Sequence, residues 1–238
     1  MSNNVRTRLE LLNDGPSMPR KQSRKRKPSK KVESEQKPKI TDDVEAIPVA
    51  EQNVVFQPNE GPQTEFLASP EREVLYGGSA GGGKSYAMLA DPLRYMGHSQ
   101  FSGLLLRHTT EELRELISVS KQLYPQAVPD IKFLERDKTW VAPSGATLWL
   151  SYLDRDDDVT RYQGQAFSWI GFDELTQWPT PYPFDYMRSR LRTTRDSGLE
   201  VYQRATTNPG GPGHSWVKRM FVDPAPHGQP FWATDIET

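Results

Sequence analysis

Eight consecutive residues, Gly78-Ser79-Ala80-Gly81-Gly82-Gly83-Lys84-Ser85, satisfy every fixed position of the pattern G-x-x-x-x-G-K-[ST]. One chemical task explains all of these residue types together, the cradling of a nucleoside triphosphate such as ATP. Glycines let successive backbone N–H groups turn inward around phosphate oxygens, because they tolerate positive φ and put no Cβ in the way. Lys84 is placed to bridge β- and γ-phosphates, and the Ser85 hydroxyl to ligate Mg2+. The loop follows a short apolar run, Glu73-Val74-Leu75-Tyr76, and precedes a segment of helical spacing. That context adds the unpaired N–H groups and positive dipole end of a helix to the same anion site. A flexible glycine-rich linker is the competing reading. It leaves the Lys-Ser pair, in register with both elements, unexplained.

Binding a triphosphate is not hydrolysing it. The second group begins 89 residues after Lys84, where the apolar run Phe167 to Phe172 ends in Asp173-Glu174. Asp173 is placed to hold the metal, directly or through water. Glu174, one residue past the strand end, is placed to orient and deprotonate an attacking water. A small-molecule kinase has no use for such a base. The competing reading is that the two acids only cap the next helix. The third group is Ala205-Thr206-Thr207-Asn208-Pro209-Gly210, a strand ending in hydroxyls and an amide that can register the γ-phosphate. Asn-Pro-Gly is also ordinary turn chemistry, and both readings stay open. Gln63 is either an adenine-reading amide or a surface helix glutamine. Arg161 is either a surface arginine or one offered to a neighbouring subunit's γ-phosphate, where it would stabilise transition-state charge. The acidic run Asp154 to Asp158 reads as a solvated loop.

The elements that must position these residues alternate. A turn at Pro58 to Pro62 leads to a short helix at Gln63 to Leu67, and Glu73 to Tyr76 form a buried strand. Ser85 to Met96 has helical spacing, with Pro92 as a kink point. Gly103 to Arg107 reads as a strand, and Thr110 to Leu123 as a helix capped by Thr109 or Thr110. Trp140 to Ala142 and Ala146 to Leu150, around Pro143-Ser144-Gly145, read as a hairpin. Tyr182 to Leu191 is helical and Val201 to Thr206 is a strand. Short apolar strands alternating with helices predict an α/β fold with a mostly parallel, covered sheet.

Bulk properties bound the function. At 238 residues, 35% hydrophobic and 26% charged, the chain has room for one α/β domain and a tail. No apolar run reaches the ~20 residues of a membrane span, and no signal-peptide core is seen at the start. The absence of cysteine excludes disulfides, thiolate zinc sites and cysteine nucleophiles. His98, His108, His214 and His227 lack metal-ligand spacing. Residues 1–45 are polar and read as a disordered basic tail, 46–222 as the catalytic domain, and 223–238 as the start of a linker. The net charge of −1 hides an asymmetry, because eight of the 30 Lys/Arg fall between Arg20 and Lys31. The rest carries 22 basic against 31 acidic residues, so any nucleic-acid contact must use local patches or the tail. Arg107 and Arg114 are the candidates for facing DNA.

Five stretches in order, Pro58 to Leu67, Leu75 to Ser85, Arg161 to Gln165, Gly171 to Gln177 and Thr206 to Asn208, resemble the opening domain of tailed-phage large terminases. The likeness covers roughly residues 54 to 222. It implies a P-loop NTPase of the ASCE type whose ATP hydrolysis drives dsDNA into a prohead. It puts Gln63 in the adenine motif, Thr206, Thr207 and Asn208 in the coupling motif, and Arg161 as an arginine acting in trans. It further implies a homo-oligomeric ring, typically a pentamer, with portal protein and small terminase subunit as partners, in the host cytoplasm and at the portal vertex. A nuclease domain with clustered acids, usual in the family, is not seen in this sequence, so nuclease activity is not expected from it. The alternative is another P-loop nucleic-acid ATPase, of helicase or recombination type. A two-lobed helicase needs a second lobe for which the chain is too short.

Overall fold

The computed structural model describes residues 54–232 and, for residues 5–9, the backbone alone. Among the described residues nine strands form one sheet. In chain order they are β1 (Val5–Leu9), β2 (Glu73–Gly77), β3 (Ser102–Arg107), β4 (Lys132–Leu134), β5 (Thr139–Val141), β6 (Thr147–Tyr152), β7 (Trp169–Phe172), β8 (Tyr202–Thr207) and β9 (Phe231–Trp232), arranged β4-β5-β6-β3-β7-β8-β2-β1-β9. The pairs β6·β3, β3·β7, β7·β8, β8·β2 and β2·β1 are parallel, while β4·β5, β5·β6 and β1·β9 are antiparallel. The expected mostly parallel sheet is therefore found. Its P-loop strand β2 is separated from β7 by one inserted strand, β8, as in ASCE-type P-loop folds.

The central strands are buried end to end, which is why they read as unbroken apolar runs. Within them the two-residue period sorts side chains to opposite faces. Val74, Tyr76, Leu105 and Trp169 join one core, with Phe66, Met88 and Trp140. Leu75, Leu104, Leu106, Ile170 and Phe172 join the other, with Phe184, Trp216 and Phe221. Helices cover these faces: α1 (Pro62–Ala68), α2 (Lys84–Ala90), α3 (Thr110–Ala127), α4 (Tyr182–Arg188) and α5 (His214–Val217). α3 starts on a capping box. The Thr109 hydroxyl accepts from the Glu112 N–H at 3.3 Å, and the Glu112 carboxylate accepts from the Thr109 N–H at 3.1 Å. A Cβ at Gly171 would stand 2.4 Å from the Trp169 ring, 2.8 Å from Leu105 Cδ1 and 2.9 Å from Met88 Sδ, so these side chains would have to shift to admit one.

Several local expectations are refined. The helix expected from Ser85 to Met96 is α-helical only to Ala90 and tightens into a 3₁₀ turn over Asp91–Tyr95, where Pro92 removes a backbone donor. Asp91, fully buried, anchors that turn by accepting from Trp169 Nε1 at 2.8 Å and the Tyr202 hydroxyl at 3.1 Å. The hairpin near Trp140 is β5·β6, and it gains a third strand, β4, whose three residues have too little periodicity to give a sequence signal. The acidic loop after β6 winds into a 3₁₀ turn, Asp156–Tyr162, in which the Asp158 carboxylate accepts from the N–H groups of Asp154 and Arg155. Most of the span read as a disordered tail lies outside the described residues. Within that span residues 5–9 pair with β2, and Phe231–Trp232, in the span read as a linker, pairs with them.

Candidate active site

Parallel strands send their C-terminal ends to one edge of a sheet. Because β8 lies between β2 and β7, three segments distant in sequence meet there: the loop after β2, Asp173-Glu174 after β7, and Thr206 to Asn208 at the end of β8. The loop from Gly78 to Gly83 uses left-handed backbone at Gly81 (φ 86°) and Gly83 (φ 67°), which a side chain would resist. Lys84, the first residue of α2, is 5% exposed and folds back over the loop. Its Nζ donates to the carbonyls of Ser79 at 2.7 Å and Gly78 at 3.2 Å. Burial lowers the Lys84 pKa, and the neighbouring Glu174 and Asp173 charges oppose that shift. The Tyr76 hydroxyl donates to Gly82 O at 2.8 Å and ties the loop to its own strand.

Asp173 is completely buried at the tip of β7. Its Oδ1 accepts from Ser85 Oγ at 3.3 Å and from Thr206 Oγ1. Its Oδ2 has no hydrogen-bond donor of good geometry and faces the guanidinium of Arg107 at 2.6 Å. A fully buried carboxylate beside a serine hydroxyl is a hard oxygen set that suits Mg2+, which is held by few protein ligands and completes its shell with phosphate and water. Among the described residues no cluster of three His, Cys, Asp or Glu competes for this role.

Glu174 adopts left-handed backbone at φ 62°, a conformation uncommon outside glycine and a frequent companion of reactive positions. The turn is held because the Glu174 N–H donates to Thr206 Oγ1 at 3.1 Å. The carboxylate is held as well: Asn208 donates to it twice, from its backbone N–H at 3.1 Å and from Nδ2 at 2.8 Å. Burial raises the Glu174 pKa, and Asp173 repulsion adds to this. Arg107, the Asn208 N–H and Lys84 pull it back. A raised carboxyl pKa makes a stronger proton acceptor.

The structure therefore brings Lys84, Ser85, Asp173, Glu174, Thr206 and Asn208 into one cluster. Thr207 sits beside it and donates to Thr176 Oγ1 at 2.8 Å, fastening β8 to the turn after Glu174. The 206–208 segment is both a strand end and a clamp on the two acids. Gln63, on α1, is 4% exposed. Its Nε2 donates to Gly83 O at 2.9 Å and its Oε1 accepts from Asn59 N at 2.7 Å. Nε2 thus braces the glycine loop while Oε1 ties the amide to the turn at Asn59, and reading a base would require exchanging those bonds. Arg161 is not brought to the cluster. It stands after β6, where its Nη2 donates to Tyr152 O at 2.7 Å and pairs with Asp158 at 3.5 Å. With strands spaced about 4.8 Å apart, four steps separate β6 from β2, about 19 Å.

Arg107 departs from its expected role. Expected to face DNA, it is 8% exposed, pairs with Asp173, and donates to Ser85 Oγ at 3.2 Å. Arg114, the other candidate, stays exposed on α3. The signal that could have separated the two is the place of Arg107 as the last residue of a strand whose neighbour ends in Asp173. That neighbour relation is a fact of topology and not of sequence distance.

No curated protein sequence matches the chain significantly. Among solved structures, the large terminase of a thermophilic bacteriophage superposes with a TM-score of 0.52 at 22% identity, over 70% of this chain and 43% of that one. The same phage's large terminase in complex with ATP-γ-S superposes with a TM-score of 0.51 at 23% identity, over 68% of this chain and 41% of that one. These likenesses are of fold, and this chain spans less than half the length of that phage protein. Residues 75–234, two thirds of the chain and inclusive of every site residue described above except Gln63, match the family described as "Terminase large subunit, T4likevirus-type, N-terminal", and the chain belongs to that family.

Proposed function

We propose that this chain is the ATP-hydrolysing motor domain of a large terminase, coupling ATP turnover to dsDNA movement into a prohead. The observation that carries the reading is the shared cluster of Lys84, Ser85, Asp173 and Glu174, with the Glu174 carboxylate clamped by Asn208. The loop N–H groups and Lys84 bind the β- and γ-phosphates. Ser85 and Asp173 hold Mg2+, which when bound offsets the charge of the phosphate oxygens. Glu174 accepts a proton from water as the water oxygen bonds to the γ-phosphorus and the bond to the β-γ bridging oxygen breaks, leaving ADP and phosphate. Loss of the γ-phosphate changes the charge around Glu174, and Asn208 transmits the change along β8 and, through Thr207 and Thr176, to the following turn.

Arg161, exposed and far along the sheet edge from Lys84, suits delivery to a neighbouring subunit's γ-phosphate in a ring. The further partners on this reading are the portal protein and the small terminase subunit, and the assembly, a pentamer in the family's manner, sits at the portal vertex in the host cytoplasm. Nuclease chemistry is not assigned to these residues. The test is Glu174→Gln. It preserves shape and the Asn208 backbone contact but cannot take a proton, so ATP should still bind within about twofold while phosphate release falls by about 10²-fold or more. Equal loss of binding and turnover would sink the assigned role.

A further inference from the structure

Arg107, at the end of β3, carries a full positive charge into a nearly water-free corner. Its Nη2 lies 2.6 Å from Asp173 Oδ2 and donates to Ser85 Oγ at 3.2 Å. Those are the two side chains assigned to the metal. Asp173 is fully buried, and its Oδ2, which has no hydrogen-bond donor, has this guanidinium as its ion-pair partner. A buried carboxylate without a counter-ion is strongly unfavourable, so the cation stabilises the charge on Asp173 and holds it close to Ser85. A divalent ion placed at that oxygen and that hydroxyl would face, in a low-dielectric corner, the like charge of a guanidinium nitrogen 2.6 Å and 3.2 Å from them, so the two cations compete for the place.

We propose that Arg107 is a resident counter-ion that keeps Ser85 and Asp173 in ligating geometry and is displaced when metal and nucleotide enter together. The displaced guanidinium, rooted at the strand tip beside Asp173, takes the triphosphate and Glu174 as its anionic partners. Metal binding is then an exchange of cations. Free metal binds weakly, because it must evict Arg107 with no new anion to receive it. Metal carried by a triphosphate binds well, because the phosphate oxygens receive the arginine. The inference rests on the metal role of Ser85 and Asp173.

The test measures Mn2+ bound to the nucleotide-free 238-residue chain by electron paramagnetic resonance. Arg107→Gln should bind Mn2+ at least about tenfold more tightly than the unaltered chain, since removing an adjacent opposite charge alters a carboxylate's cation affinity by about that factor or more. The gain should vanish when Asp173→Asn is added. Without metal the Arg107→Gln variant should melt at lower temperature, and millimolar Mn2+ should restore it, while the unaltered chain responds little. Equal Mn2+ affinity in Arg107→Gln and the unaltered chain, with Asp173→Asn still abolishing Mn2+–ATP binding, overturns the counter-ion role and leaves the metal site standing. Mn2+–ATP binding indifferent to Asp173→Asn overturns the metal reading and the inference with it. Should the glutamine variant fail to fold, Arg107→Lys replaces it: a compact ammonium cannot span Asp173 and Ser85 as the fork does, so Mn2+ affinity should rise there too, and no rise overturns the proposal.

Discussion

Removing one amide from the cluster tests how Glu174 is made a base. In Asn208→Ala the carboxylate loses the Nδ2 donor at 2.8 Å but keeps the Asn208 backbone donor at 3.1 Å. The main-chain turn survives, because it is held by Thr206. A hydrogen bond to a charged group contributes about 1.5–3 kcal/mol, and about 1.36 kcal/mol is tenfold in rate. If that bond orients the base in the transition state, kcat should fall by about 10- to 150-fold. The Asn208 amide is spent on Glu174 and not on Lys84 or the loop N–H groups, so nucleotide affinity should stay within about twofold. The amide also favours the ionised carboxylate, and its loss must raise a Glu174 pKa already raised by burial. The base works only when ionised, so activity falls as pH drops through that pKa. The acidic limb of the kcat–pH profile should therefore lie above the ordinary glutamate value of 4.5 in the unaltered protein and move higher still in Asn208→Ala. Phosphate release followed as a function of pH, beside equilibrium binding of a fluorescent ATP analogue, separates the two effects. An unchanged kcat, or a fall in kcat matched by an equal loss of affinity, would refute the clamp.

Lys84→Ala removes the buried ammonium from the loop and should weaken ATP binding itself by about tenfold or more, measured by calorimetry, with little effect on melting temperature. Arg161→Ala should leave the nucleotide affinity of dilute protein unchanged, lose turnover by itself, and regain part of it when mixed with Glu174→Gln subunits, whose intact Arg161 serves its Glu174 site; no regain, or full-rate hydrolysis by isolated monomers, would remove the action in trans. Gly171→Ala forces a methyl to within 2.9 Å of Met88 Sδ and 2.4 Å of the Trp169 ring. It should destabilise the fold by about 1–3 kcal/mol in chemical denaturation, and an unaffected midpoint would show that the contact between α2 and β7 yields easily.

The sequence by itself determined what depends on neighbours in the chain. Gly78 to Ser85 is a contiguous device whose glycine positions, lysine and serine are dictated by backbone sterics around a phosphate, so it is legible without a fold. Asp173-Glu174 is nearly as local, an apolar run ending in two acids. The buried parallel strands announced themselves as continuous apolar segments, and the capping box at Thr109 and the tightening at Pro92 are rules of one helical turn. Tertiary structure decided the rest, because strand order is not written in strand content. Placing β8 between β2 and β7 is what turns Thr206 and Asn208 from turn residues into partners of Asp173 and Glu174. Placing β3 beside β7 is what sends Arg107 inward to Asp173 and not outward to a nucleic acid. An arginine's charge is equally compatible with solvent, phosphate or a buried carboxylate. Only the low dielectric at the sheet's edge, and a fully buried carboxylate within reach of the guanidinium there, selects the third.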